Sequence, residues 1–189
     1  MNKRIVSMAL AIILALIPCL LALAADDSTV TITVLTDKYV EITLEPTEWN
    51  IGDVEPNTEC PTNPTWCTIT NNGNCVVDIY IKGEDAGWVD GGYTWKLSST
   101  ENNSKGVYAL WYHIAGDKAD SYTPITEAPT VMKHIKPNGD DGGPLTLIGN
   151  GVQKKFGLKL LTPLPDTETG HFWGGREMKT TITISAVAA

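Results

Sequence analysis

Positive charge is scarce in this sequence, and the scarcity limits the partners that the protein can bind. The 189 residues include 14 Lys and Arg against 22 Asp and Glu, which gives a formal net charge of −8 at pH 7. Nucleic acids and anionic membrane surfaces are held by clustered Lys and Arg side chains. The acidic balance therefore predicts that neither is a partner, and it favours solubility outside the cell.

Histidine is scarcer still, and the common catalytic motifs are missing. The three histidines, His113, His134 and His171, lie far apart in the chain, whereas metal or acid–base chemistry needs several such side chains in one site. No G-x-S-x-G or S-x-x-K motif is present, and the glycine clusters lack the spacing that cradles a phosphate. We predict no catalytic residue, no metal ion and no cofactor, and hence a protein that is not an enzyme.

Helical periodicity is absent except near the N terminus. Lys3 and Arg4 precede an uncharged apolar run that ends in Ala-Leu-Ala at positions 22–24, as in a secretory signal peptide. The run of about 20 residues is also long enough to span a bilayer as an uncleaved anchor. We predict cleavage, because Pro18 breaks the helix late and the small-x-small motif follows it.

Cleavage divides the chain into a signal peptide of residues 1–24 and a single domain of residues 25–189. No other segment is long and apolar enough to cross a bilayer, so we predict no membrane insertion after the leader is removed. The localisation that follows is extracellular or at the cell surface.

Alternation of apolar and polar residues is the abundant signal in the rest of the chain. Runs rich in Thr, Val, Ile and Tyr are separated by Gly, Pro, Asn and Asp, which is typical of short strands with one buried face. We therefore predict an all-β fold after the N-terminal signal helix, an immunoglobulin-like or jelly-roll β-sandwich of about 8–10 strands. The strands predicted from alternation span residues 29–35, 39–45, 66–70, 75–82, 93–97, 107–114, 144–148, 153–161 and 178–187.

Two acidic loops are candidates for calcium, which prefers hard oxygen ligands. Asp140 and Asp141 lie in PNGDDGGP, and residues 84–90 carry three acids around a tryptophan. Neither loop has the regular acid spacing of an EF-hand. We interpret both as solvated turns and keep Asp140 and Asp141 as weak calcium candidates.

Six tryptophans raise the alternative of glycan binding, because flat indole rings can stack on sugar rings. Trp49, Trp95 and Trp111 lie in or beside predicted strands, where the burial of a large apolar area explains them. Trp88 and Trp173 lie in Gly-rich loops. These two are the better candidates for an exposed glycan contact.

The three cysteines of the predicted mature domain, Cys60, Cys67 and Cys75, are disulfide candidates in an exported protein. An odd number leaves one of them free or available to another chain. CxxC spacing is absent, so a zinc site is a poor interpretation.

Residues 65–81, TWCTITNNGNCVVDIYI, predict a β-hairpin, because Asn and Gly separate two apolar runs. A two-residue loop pairs Cys67 with Asp78, whereas a three-residue loop pairs Cys67 with Val77. In the three-residue register, Cys67 and Cys75 are diagonal, about 7–8 Å apart, beyond the usual reach of a disulfide. Burial favours that register, because one face then carries Cys67, Ile69, Cys75, Val77, Ile79 and Ile81.

Residues 42–83 combine a Pro-containing strand, an aromatic and Gly-Asp-Val step, a Pro turn and a strand that ends in Asn-x-Gly-Asn. The residues of this pattern are Pro46, Trp49, Gly52, Asp53, Val54, Pro56 and Asn57, then Thr68, Ile69, Thr70, Asn71, Asn72, Gly73 and Asn74. The pattern resembles the immunoglobulin-like domains of the abnormal-spindle and hydin type, which implies a fold rather than an activity. The resemblance also implies an alternative to the hairpin, an arch from one sheet to the other. The arch places Cys67 and Cys75 on facing inner surfaces and reopens a bridge between them.

The layout of the whole chain is a leader, a β segment directly after it, a sandwich and a late strand. This layout is similar to exported proteins of the TasA and camelysin kind. The similarity implies assembly into extracellular filaments or matrix, in which an N-terminal strand is added to a neighbour's sheet. Residues 25–36 then form the candidate donor strand, because Val30, Ile32 and Val34 alternate with threonines and an open sheet edge accepts an extended strand.

These observations predict a non-catalytic, exported structural or cell-surface protein that associates with itself or with other surface proteins. Filament or matrix assembly by β-strand addition is the expected mode. The alternative is an extracellular binding module or adhesin that recognises a glycan or calcium through its loops.

Overall fold

The computed structural model describes residues 33–34, 36–165 and 177–189. The chain divides into two compact units, residues 1–36 and residues 37–189. The predicted signal peptide and most of the candidate donor strand fall outside the described residues. The fold is that of the second unit.

The described residues of the second unit form fifteen strands and no helix, which confirms the all-β prediction. The number exceeds the predicted 8–10, because several strands are only two or three residues long. The strands are β1 (Ile42–Glu45), β2 (Glu59–Pro61), β3 (Cys67–Asn71), β4 (Val77–Gly83), β5 (Ala86–Trp88), β6 (Thr94–Leu97), β7 (Val107–Ile114), β8 (Thr123–Ile125), β9 (Thr130–Val131), β10 (Lys133–Ile135), β11 (Asp141–Pro144), β12 (Thr146–Leu147), β13 (Val152–Leu161), β14 (Met178–Lys179) and β15 (Ile182–Ala188).

Two main sheets build the sandwich. The larger sheet has the order β1-β3-β13-β7-β6-β5-β14, with β2 beside β13 and β8 beside β7. The smaller sheet has the order β12-β4-β15, with β9 also beside β4, and β10 and β11 form a separate pair. Neighbouring strands are antiparallel except β6 and β7, which are parallel.

One apolar core lies between the two sheets, as expected of strands that each bury one face. The larger sheet contributes alternate residues of β3, β7 and β13, and the smaller sheet contributes alternate residues of β4. Partly buried side chains of β1 and β15 pack against the same core. The core strands contribute Cys67, Ile69, Val77, Ile79, Ile81, Tyr108, Leu110, Tyr112, Ile114, Phe156, Leu158 and Leu160.

The link between β3 and β4 is an arch, because the two strands belong to different sheets. The hairpin predicted for residues 65–81 is therefore wrong in both registers. Cys67 pairs with Phe156 of β13 and not with Asp78 or Val77. Alternation identified the buried face of each strand correctly, but a buried face does not specify which strand lies alongside.

A buried asparagine holds the arch in place. The side-chain amide of Asn71, which is 0% exposed, donates to the carbonyl oxygens of Cys75 at 2.9 Å and Leu147 at 3.1 Å. Its Oδ1 accepts the N–H of Gly73 at 2.9 Å. A side chain at Gly73 would collide with the carbonyl oxygen of Tyr39. The Asn and Gly residues of the arch thus have a structural role.

Candidate functional site

The three cysteines are free thiols. Cys67 is buried, and its Sγ lies 3.9 Å from the carbonyl oxygen of Pro46. Burial raises the pKa of the Cys67 thiol to about 11, against a smaller opposing effect of the Thr68 backbone. A thiol that stays protonated at neutral pH is a poor nucleophile and a poor metal ligand. Cys67 therefore belongs to the core as a small apolar group.

The two calcium candidates, Asp140 and Asp141, already have hydrogen-bonding partners. Asp141 Oδ2 lies 2.8 Å from Lys133 Nζ, and Asp141 Oδ1 accepts the N–H of Gly143 at 2.7 Å. The hydrogen bond with Lys133 is the main cause of a lowered Asp141 pKa. Asp140 Oδ2 accepts a hydrogen bond from Asn138 at 2.6 Å. Within the described ranges, no group of three or more His, Cys, Asp or Glu is placed to hold a metal ion.

In the second acidic loop, Glu84 and Asp85 also have partners within the fold. Asp85 pairs with Lys96, and its Oδ1 accepts the N–H of Leu97 at 2.8 Å. Glu84 lies 3.4 Å from Lys82. These contacts attach the loop to β4 and β6.

The described tryptophans are buried or half-buried. Trp111 is 5% exposed, and Trp49 and Trp95 pack against the core. Trp88 is half-buried and ends β5 rather than lying in a loop. Trp173, the other glycan candidate, lies outside the described residues.

Two histidines have separate partners inside the fold. His113 Nδ1 lies 2.6 Å from the carbonyl oxygen of Ser121. His134 Nδ1 lies 2.7 Å from Asp117 Oδ1. The structure does not bring them into one site, and His171 lies outside the described residues.

Within the part of the chain that the structure describes, the strand β15 lies at an edge of the smaller sheet and has no strand partner on one side. Among the described residues it pairs only with β4. Its sequence, ITISAVA, has no charge, no proline and no glycine, and its register with β4 has no bulge. Natural edge strands are usually protected by charge, proline, bulges or short length. The described strand β15 has none of these four features, so its edge is a candidate site for strand addition.

The hydrogen-bond pattern identifies which residues face this edge. The N–H of Ala189 donates to the carbonyl oxygen of Val76 at 2.9 Å, which fixes the phase of the ladder between β15 and β4. In an antiparallel ladder, residues alternate between those that bond to the neighbour and those that point away. The N–H and C=O groups that face the free edge are those of Ile182, Ile184, Ala186 and Ala188.

An apolar cavity of about 180 Å³ lies beside the inner face of β15. The rings of Trp49 and Trp66, 6.0 Å apart, form part of its wall. A mostly apolar cavity of this volume can accommodate a group as large as a small ring, and hence a branched side chain from an added strand. Its lining is Leu44, Pro46, Thr47, Trp49, Ile51, Trp66, Cys67, Leu110, Phe156, Leu158, Leu160, Met178, Thr180, Ile182 and Ile184.

Of the three alternating apolar residues of the candidate donor strand, Val34 is described. Val34 is 76% exposed, so its apolar side chain is available for contact. Val30 and Ile32 lie outside the described residues.

No helix among residues 33–34, 36–165 and 177–189 is long and apolar enough to cross a membrane. Comparison of the sequence with protein-family models and with curated proteins found no match. The free edge of β15 and the cavity beside it are therefore the observations that bear most directly on function.

Proposed function

We propose that the protein is a non-catalytic, exported structural subunit of the cell surface or extracellular matrix, which assembles by β-strand addition. Residues 25–36 of one copy supply the added strand, and β15 of the next copy receives it. The single observation that carries the proposal is the uncharged edge of β15, which has no strand partner on one side among the described residues. Backbone hydrogen bonds give affinity in such assemblies, and pockets for alternate side chains give specificity.

The cavity supports the same proposal. It lies along the inner face of β15, through Ile182 and Ile184, where alternate residues of an added strand point toward the core. Val30, Ile32 and Val34 are the alternate apolar residues of the donor segment. Their burial would replace contact between water and the tryptophan-lined wall, which is favourable by about 25 cal/mol per Å².

Electron microscopy of the protein purified without its leader tests the proposal. We expect filaments from the parent chain and none after deletion of residues 25–35, with a β-rich circular dichroism spectrum retained. Strictly monomeric parent protein over a wide concentration range would exclude filament formation. Filaments that survive the deletion would show that another segment is the donor.

Two substitutions in the donor segment provide a matched comparison. Ile32→Asp places a charge on the face that points into the cavity, and Thr31→Asp places the same charge on the opposite face. We expect filaments from Thr31→Asp and none from Ile32→Asp. Equal loss of filaments in both variants would contradict the insertion of the face that carries Ile32.

The alternative of a calcium-dependent adhesin has less support, because Asp141 already pairs with Lys133. A bound ion would raise the melting temperature in proportion to its occupancy of the folded state. We expect no shift between 5 mM EGTA and 5 mM calcium. A reproducible increase with calcium, lost in Asp141→Asn, would favour the adhesin.

A further inference from the structure

The edge of β15 that has no partner among the described strands is complementary to itself. We propose that two copies of the protein pair through β15, antiparallel and about a two-fold axis at Ser185, so that the two smaller sheets become one. This inference uses the same edge of β15 as the proposed filament but involves no residue of the donor segment, so the two can be tested separately.

The hydrogen-bond pattern permits this pairing along the whole strand. Ile182, Ile184, Ala186 and Ala188 direct their N–H and C=O groups to the free edge, as fixed by the Ala189 to Val76 bond. When Ser185 faces Ser185 of the second copy, Ile182 lies opposite Ala188 and Ile184 opposite Ala186. Each of these pairs is in phase to exchange two N–H···O bonds.

Side-chain sizes fit the same register. On the inner face, each isoleucine of one copy lies opposite an alanine of the other copy. A large side chain therefore packs beside a small one. On the outer face, Ser185 meets Ser185 and Thr183 meets Val187, which is 54% exposed in one copy. Aliphatic and hydroxyl pairs across an antiparallel ladder are favourable.

Charge explains why β15, rather than another edge, is the interface. The chain carries a formal net charge of −8, so two copies repel each other at most surfaces. The edge strand β1 is only four residues long and ends in Glu45, and β14 is two residues long and ends in Lys179. The seven residues of β15 contain no charge. Isologous pairing of one such strand closes as a dimer.

The dimer and the filament compete for the same groups. The free edge of one β15 can hold a single added strand, because each edge-facing N–H and C=O is used once. A β15-paired dimer therefore keeps its subunits out of the filament until the two copies separate.

Single cysteine substitutions test the register. In the proposed dimer, the two Ser185 residues form a pair without hydrogen bonds to each other, with Cα atoms about 4.5 Å apart, within disulfide range. The two Val187 residues are separated by about 13 Å along the strands. We expect oxidised Ser185→Cys to form a covalent dimer on a non-reducing gel, and Val187→Cys to form no more than the parent chain. Equal cross-linking of the two variants, or none in Ser185→Cys, would overturn the proposal.

Sedimentation of a second pair of variants tests the hydrogen bonds. Ala186→Pro removes an N–H from the free edge and leaves the ladder with β4 intact, because proline is tolerated where the missing N–H faces away from the sheet. Ala186→Ser keeps the N–H. We expect Ala186→Pro to raise the dimer dissociation constant at least about tenfold and Ala186→Ser to leave it within about threefold. Unchanged dimerisation of a folded Ala186→Pro protein would overturn the proposal.

Deletion of residues 25–35 separates this inference from the filament. The covalent Ser185→Cys dimer persists in the deleted protein if β15 pairs with β15. Its loss would show that the donor segment, and not β15, joins the copies. Loss of filaments alone bears only on the proposed function.

Discussion

Several polar side chains in the sandwich accept hydrogen bonds from backbone N–H groups. Asp85 accepts from Leu97, Asn71 accepts from Gly73, and Asp117 Oδ2 accepts from Ile135 at 2.8 Å. Each bond joins a loop or an arch to a strand. These side chains therefore contribute to the stability of the fold. The effect of substituting them is measured as a change in the free energy of unfolding.

Asp85 is the acid whose role in stability is most easily measured. Partial burial acts to raise its pKa, but hydrogen bonds from Lys96 and the Leu97 amide together outweigh burial and hold the pKa below its usual value. Such a carboxyl stabilises the fold above its unfolded pKa of about 4, and the contribution is lost as pH falls through the folded pKa. We expect Asp85→Asn to cost about 1 kcal/mol at pH 7 and to lose less stability than the parent below pH 4.

Urea unfolding between pH 2.5 and pH 7 measures this difference. Asp90→Asn is the matched control, because Asp90 is exposed in the same loop region. Parallel stability curves for Asp85→Asn and the parent protein would contradict the role of the carboxylate.

Cys67 gives a second prediction at the level of one residue. Its thiol is 1% exposed and has a pKa raised to about 11 by burial, whereas Cys60 and Cys75 are half-buried. We expect iodoacetamide at pH 8 to modify Cys67 last in the native protein, as followed by peptide mass spectrometry. In denaturant, where burial is lost, the three cysteines should react at similar rates. Early modification of native Cys67 would show that the core opens at the cavity.

At the scale of elements, the arch between β3 and β4 depends on one side chain. Asn71 donates two hydrogen bonds and accepts one while fully buried, and its removal leaves three backbone groups without that partner. We expect Asn71→Ala to lower the free energy of unfolding by about 2–3 kcal/mol. Asn72→Ala, the exposed neighbour, should change it by less than about 0.5 kcal/mol. Similar values for the two variants in chemical denaturation would show that the arch does not need Asn71.

The longer strands of this fold could be predicted from the sequence because alternation extends over enough residues. Val107–Ile114 is observed at the predicted bounds, and β3, β4 and β13 differ from prediction by one or two residues at an end. The two-residue and three-residue strands carry no measurable period. The prediction missed β2, β5, β8, β9 and β10, and most of β11. The strands β2, β8 and β9 each pair with a longer strand, which sets their positions.

Strand partners could not be predicted from the same signal. Alternation placed Ile69 and Ile79 on buried faces, and both are in the core, but the hairpin assumed that neighbours in sequence are neighbours in a sheet. The free edge of β15 was missed for that reason. Its sequence signal, seven residues without charge, is also what a central strand would show.

At the scale of the whole molecule, the net charge of −8 opposes association through an uncharged edge. The Debye length falls from about 30 Å at 0.01 M salt to about 8 Å at 0.15 M. We expect dimerisation and filament growth to strengthen several-fold over this range, measured by sedimentation and light scattering. Weakening with salt would indicate that ion pairs hold the copies together.

The arch also has a consequence for the order in which the chain can fold. Because of the arch, β3 pairs with the strand at residues 152–161, and β4 pairs with the strand at residues 182–188. Contacts between residues that are distant in sequence therefore dominate both sheets. Loop closure over such separations is slow. A chain that emerges from the ribosome or through a translocation channel with its N terminus first cannot complete the smaller sheet until residues 182–188 have followed. The arch thereby delays the pairing of β4 with β15 until synthesis or passage is nearly finished.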